Sequence, residues 1–242
     1  MTMLQKTWAI FGALAGAAAM TAIYFHKKRR TVAIKPKMQL YVFDKFRSRR
    51  CEWLLAELGV QNEVECITMN PRDPDQEKLA QYRKIHPHGT IPCLVVEGRQ
   101  AIIESGAICL YLADVYGKLG PEADKEAFYS WLVYSTATLD EVMEILFVQW
   151  VLTDLPDQDA DLINKCVLKF NTAAKYLSQC LYGRDYICGN KFTAADCVLG
   201  YNIWWALEMK EGLLLKDFPL ILDYYKRLQM RSSFQRVFSE LF

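Results

Sequence analysis

The chain has 242 residues, with 29 basic and 28 acidic side chains and a formal net charge of +1, so it carries no excess charge that would draw it to nucleic acid. Its length suits one large domain or two modest ones. Its eight cysteines form no C-x-x-C pair and no metal-ligand spacing, and most sit in apolar runs, which reads as small buried hydrophobes in a reducing compartment rather than a disulfide framework or a metal site.

Residues 8–25 are uncharged, rich in Ala and about the minimum length for a bilayer span, with Trp8 and Tyr24 near the two ends. His26-Lys27-Lys28-Arg29-Arg30 follows at once, whereas only Lys6 precedes the run. A secretory signal has the opposite charge order, so the expectation is a single transmembrane helix with everything after it facing the cytosol. A short, weakly apolar span with basic flanks resembles the signal anchors of the outer mitochondrial membrane, with the endoplasmic reticulum as the alternative. Gly12 and Gly16 form a G-x-x-x-G pattern of the kind that lets two spans pack closely. Residues 1–37 are thus read as an anchor and a basic linker.

Residues 38–43 alternate and carry aromatic and β-branched side chains, a first strand. Residues 49–58 place Cys51, Leu54, Leu55 and Leu58 on one helical face, and Gly59 stops that helix. Residues 64–67 form a second strand, parallel to the first because a helix intervenes. A loop at 70–74 leads to a polar helix at 76–84. Ile91-Pro92 then opens an apolar strand at 93–96, with a hairpin turn at 97–100 around Gly98 and a return strand at 101–103. Ser105 reads as the cap of a helix bearing Ile108, Leu112 and Val115.

This order, with Pro92 at a strand entrance and Glu104-Ser105 at a helix start, resembles the thioredoxin-like domain of glutathione transferases. The resemblance covers roughly residues 38–240. It implies an α/β thioredoxin-like N-terminal domain at 38–117 followed by an all-α C-terminal domain at 122–242, the GST fold. It also implies a cis peptide at Pro92, backbone pairing of Ile91 with glutathione, and γ-glutamyl recognition by Glu104 and Ser105. Thr90 stands where many relatives carry a Gln or Lys on the glutathione backbone.

A thiol with its pKa above neutrality must be helped to ionise, by a hydroxyl donor, a helix N-terminus or nearby cations. Counting back from Leu58-Gly59, the Tyr that some classes use falls on Tyr41. The Ser or Cys that others use falls on Lys45, which is neither, and Ser48 lies three residues on. Tyr41 and Ser48 are therefore the candidate thiol donors, each also explicable as strand packing and as a helix cap. Lys45, Arg47, Arg49 and Arg50 crowd the same turn, and Lys45 and Arg47 join Thr90, Ile91, Pro92, Glu104 and Ser105 as candidate glutathione-binding residues. No metal is implied, and the lack of a Cys in this turn argues against mixed-disulfide chemistry.

After a Gly/Pro linker at 116–121, residues 122–152 read as one long helix with Phe128, Leu132, Leu139, Val142 and Leu146 on its apolar stripe. Asp154 to Asp157 breaks it, and 160–181 forms a second helix. Phe192-Thr193-Ala-Ala-Asp196 has the form of a capping box and also resembles a folding motif in the helical domain of the transferase family. Asp217-Phe218-Pro219 caps a fourth helix through Gln229, and Ser232 starts a short last one. Tyr134, Thr138, Glu141, Phe147 and Trp204-Trp205 are candidates to line a second-substrate site.

Two functions remain open at this point. One is a membrane-anchored transferase that conjugates glutathione, as co-substrate, to a hydrophobic electrophile, acting as a homodimer as the family implies. The other is a weakly active or inactive relative that serves as a binding or assembly subunit at a mitochondrial membrane, which Lys45 and Thr90 favour.

Overall fold

The computed structural model describes residues 36–121 and 124–238. The anchor expected at 8–25, and nearly all of the linker, lie outside the described residues. Among those described, no helix is long and apolar enough to cross a membrane.

Strand β1 (Met38–Val42) sits inside a four-stranded sheet of order β2-β1-β3-β4. It runs parallel to β2 (Val64–Thr68) and antiparallel to β3 (Cys93–Val96), which pairs in turn with the two-residue β4 (Ile102–Ile103). The period-two alternation of side chains decides the two faces. Met38, Leu40 and Val42 join one buried cluster with α1 (Ser48–Leu58) and α3 (Ser105–Tyr116). Tyr41 packs in a second cluster with Leu79 and Tyr82 of α2 (Gln76–Arg83). α1 ends where Gly59 adopts φ +72°, and Asp75 caps α2 by accepting the Glu77 and Lys78 N–H groups.

The start of α3 differs from the expected cap. Ser105 is already helical, and Glu104 holds the cap position at φ +71° with no side-chain hydrogen bond to the helix. The Ser105 hydroxyl instead accepts a bond from Arg50.

The stretch expected as one helix over 122–152 begins at α4 (Lys125–Val133), because Asp124 caps it by accepting the Ala127 N–H. It then widens into a π-helical turn (Tyr134–Leu139), resumes as α5 (Asp140–Phe147) and widens again (Val148–Leu152). Ser135 and Thr136 donate their hydroxyls back to the Trp131 and Leu132 carbonyls, competing with the backbone ladder where the first wide turn begins. The fold continues with α6 (Ala160–Leu181), α7 (Ala194–Glu208), α8 (Pro219–Gln229) and α9 (Ser232–Phe238). Phe218 rather than Asp217 holds the cap position of α8, without a side-chain bond.

Helix α7 is buried from Ala194 through Ala206, so it is the axis of the helical half. Its capping box is present as expected. Asp196, fully buried, accepts from the Thr193 N–H and hydroxyl, the Ile187 N–H and the Tyr224 phenol. Burial raises its pKa against these donors, which oppose the shift. α1 is fastened to this half by Arg231, whose Nε and Nη2 each lie 2.6 Å from the Glu57 carboxylate and whose guanidinium lies 3.8 Å from the Phe192 ring centroid.

Close approach of α1 and α7 depends on Gly200. A β-carbon there would stand 2.7 Å from the Trp53 ring and 2.8 Å from Leu228. Trp53 is fully buried and cannot swing aside, so Gly200→Ala is expected to destabilise the fold by about 1–3 kcal/mol. Urea unfolding of the variant beside the parent checks this, and equal midpoints would show that the helices can part at little cost.

Candidate functional site

The turn between β1 and α1 is closed by Ser48, whose hydroxyl donates to the Phe43 carbonyl (2.9 Å) and accepts the Phe43 N–H (3.2 Å). Its single proton is thereby committed, and the residue is fully buried. Lys45 sits at φ +61° with its side chain exposed and its carbonyl accepting from the Tyr201 phenol of α7 (3.0 Å). Arg49 pairs with Asp44. The turn therefore aims Arg47 and Arg50 at the helical half.

Arg50 is fully buried, and its two terminal nitrogens make four hydrogen bonds while Nε has no partner among the described residues. Its Nη1 donates to Ser105 Oγ (3.0 Å) and Asp140 Oδ2 (2.9 Å), and its Nη2 to Asp140 Oδ1 (2.7 Å) and Asn202 Oδ1 (2.9 Å). Its guanidinium also lies over the Tyr201 ring. Asn202 Nδ2 returns a bond to Asp140 Oδ1 (2.8 Å) and reaches the Ser135 carbonyl, in the first wide turn. Arg47 donates from Nε to Asp140 Oδ2 and from Nη2 to Glu144 Oε2, both at 2.8 Å, and stands over Trp205. Burial works against the charge on Asp140, and Arg50, Arg47 and Asn202 outweigh it, holding its carboxyl below the ordinary value. Burial likewise opposes the Arg47 charge, and Asp140 and Glu144 outweigh it, so this guanidinium is held above its ordinary value.

Of these residues Arg47, Ser105, Asp140 and Glu144 line an open groove of about 390 Å³. The thioredoxin-like half supplies Arg47, Thr90, Ile91, Pro92, Glu104 and Ser105, and the helical half supplies Thr136, Asp140, Glu141 and Glu144. The Ile91–Pro92 peptide is cis. Six of the candidate glutathione-binding residues thus meet in one place. Lys45 stays on the adjoining turn and does not line the groove.

Neither candidate thiol donor reaches it. Tyr41 lies on the α2 face of the sheet, its ring 5.1 Å from that of Tyr82, and burial, with Cys93 and Glu65 near, pushes its phenol up. Ser48 is held by the turn as described. Among the second-substrate candidates, Glu141 lines the groove and Trp205 packs under Arg47 beside Phe147. Tyr134 instead meets Trp131 and Tyr176, and Trp204 is buried against Tyr201 and Phe238. Asp140, Glu144 and Thr136 were not anticipated. Their spacing of four, beside the apolar stripe at 139, 142 and 146, is the signal that marks a polar face turned inward.

The profile described as "Glutathione S-transferase, N-terminal domain" matches residues 47–115, and that described as "Glutathione S-transferase, C-terminal domain" matches 124–231. Glutathione S-transferase D7 of Drosophila melanogaster is 32% identical over 188 residues, spanning 73% of this chain and 80% of its own length. The chain belongs to the glutathione S-transferase family. Human glutathione S-transferase A2 is 26% identical, spanning 78% of this chain and 82% of its own. Among solved structures, the theta class glutathione S-transferase of Xanthomonas axonopodis pv. citri, with glutathione bound, overlays at a TM-score of 0.70 and 25% identity, covering 83% of this chain and 96% of its own. A glutathione transferase of Phanerochaete chrysosporium in complex with oxidized glutathione shares the fold at a TM-score of 0.73 and 21% identity, covering 85% and 96%.

In this transferase-family chain the Arg50–Asp140 pair joins the halves at the groove floor. Asp140→Asn leaves Arg50 buried opposite a neutral amide and is expected to cost about 3–5 kcal/mol. Because the folded pKa of Asp140 lies below its unfolded value, the pair stabilises fully above that unfolded value and its contribution is lost as pH falls through the folded one. Denaturant titrations from about pH 7 to pH 2 are expected to fall more steeply for the parent than for Asp140→Asn below about pH 4. Parallel profiles would show that Asp140 titrates alike in both states.

Proposed function

We propose that this chain is a glutathione transferase that adds the thiol of glutathione to hydrophobic electrophiles, and that residues 8–25 hold it on a membrane. The observation that carries the reading is the groove itself. It brings the backbone at Ile91, the N-terminus of α3 at Ser105, the Glu104 carboxylate and the Arg47 guanidinium into one cleft. A helix N-terminus and a hydroxyl suit the γ-glutamyl carboxylate, and Glu104 suits its ammonium. The relative from Xanthomonas has glutathione bound, which supports the reading of this chain as a glutathione-binding protein.

With Tyr41 and Ser48 turned elsewhere, Arg47 is the cation in the groove that stabilises the thiolate. Two of its five N–H donors are engaged by Asp140 and Glu144, and Nη1 has no partner among the described residues. A nearby guanidinium favours the ionised thiol over the neutral one. The basic tail after residues 8–25 supports a cytosol-facing protein on the outer mitochondrial membrane, with the endoplasmic reticulum as the alternative, where lipid-soluble electrophiles partition. Family likeness supports a homodimer.

One observation favours a second reading as a binding or assembly subunit: no hydroxyl of the first turn points into the groove. Calorimetry of glutathione binding to the full chain at pH 7, in buffers of different ionisation heat, separates the two. The transferase reading expects binding with release of a proton. Arg47→Gln is expected to raise the bound thiol's pKa by about one unit, and Tyr41→Phe to leave it in place. Binding without proton release supports the ligand-binding subunit, and no binding at millimolar glutathione ends the transferase reading and leaves the assembly subunit.

A further inference from the structure

Thr90 lines the groove immediately before the cis peptide, and it is held from behind at two points. The Tyr82 phenol donates to its carbonyl at 2.7 Å, and its Oγ1 lies 3.0 Å from His86 Nε2. His86 is only 2% exposed, and its other ring nitrogen, Nδ1, faces the His88 N–H at 3.3 Å. A backbone N–H can only donate, so Nδ1 must be the bare nitrogen and the ring proton sits on Nε2. Nε2–H therefore donates to Thr90 Oγ1 and occupies acceptor capacity on the inner side of that hydroxyl. The Thr90 proton is left with no acceptor at His86 and is free for an acceptor on the groove side.

We propose that His86 is a positioning residue for ligand binding, fixing the Thr90 hydroxyl as a donor to an acceptor oxygen of the bound tripeptide. The proposal rests on the reading of the groove as a glutathione site. In the opposite tautomer Nε2 would be the acceptor and the Thr90 proton would point inward, so one imidazole proton decides whether the groove gains a donor there. The hydroxyl then does at this position what a longer amide or ammonium side chain would do, with its direction set by the buried ring. His86 never touches the ligand.

The test measures glutathione affinity of the full chain by calorimetry for the parent, Thr90→Val, His86→Leu, His86→Gln and the Thr90→Val/His86→Leu double variant. Losing one donor to a charged or amide oxygen is expected to weaken binding about tenfold in Thr90→Val. His86→Leu is expected to weaken it by a like factor, the double variant by no more than either single one, and His86→Gln, whose amide N–H can replace Nε2–H, to recover most of the loss. Thr90→Val binding as tightly as the parent overturns the proposal, as do additive losses in the double variant. Imidazole ¹⁵N spectra of the ligand-free parent give a readout independent of affinity and of whether His86→Leu folds. A proton on Nε2 with Nδ1 bare is required, and the reverse overturns the proposal. A parent with this tautomer that binds no glutathione refutes the reading of the groove instead.

Discussion

The structure turns on one buried cation. Arg50 lies on the first helix, in the thioredoxin-like half, and is removed entirely from water. Such a charge is tolerated only where acceptors surround it, and here they come from three distant parts of the chain: Ser105, Asp140 and Asn202. The four bonds of its terminal nitrogens therefore bring the start of α3, the long helix and the central helix α7 around a single point. Arg47 shares Asp140 with it, so the guanidinium that faces the groove is held by the same carboxylate that joins the halves. Assembly of the fold and assembly of the site are in this respect one event.

What was legible in the sequence was what is local. The alternation at Leu40 and Val42, the stop at Gly59, the Gly98 hairpin and the Thr193–Asp196 box each lie within a few residues, and each is present. Ile91, Pro92, Glu104 and Ser105 were legible through their order along the chain. The partners of Arg50 were not, since they lie 55, 90 and 152 residues away and nothing local marks them. Ser105 was misplaced for a related reason. A serine before an apolar helix usually caps it, but here a long-range donor claims the hydroxyl and Glu104 takes the cap position. Alternation did put Tyr41 on the face opposite Leu40. Which face bears the groove depends on how the halves dock, and that is a tertiary property.

The turn at residues 43–48 is held in shape from inside and from the helical half. Ser48 closes the turn and Tyr201 secures the Lys45 carbonyl from the other half, so the backbone path is set by these hydrogen bonds. On the proposed transferase reading, stabilisation of negative charge passes from a neutral hydroxyl to a guanidinium. A guanidinium acts over a longer range than a hydroxyl and tolerates looser geometry, which suits a wide and open groove.

The wide turn at Tyr134–Leu139 has a consequence for comparison across the family. A helix that makes i to i+5 bonds over one turn holds an extra residue for nearly the same rise, so everything after it is rotated by about one position relative to an unbroken α-helix. Asp140, which faces Arg50, follows directly after that offset. A relative that kept the same carboxylate without the offset would carry it one position away in a gapless alignment. Along this stretch the number of residues, rather than their identity, encodes where the charge falls, and a single-residue insertion or deletion there would move it more than most substitutions.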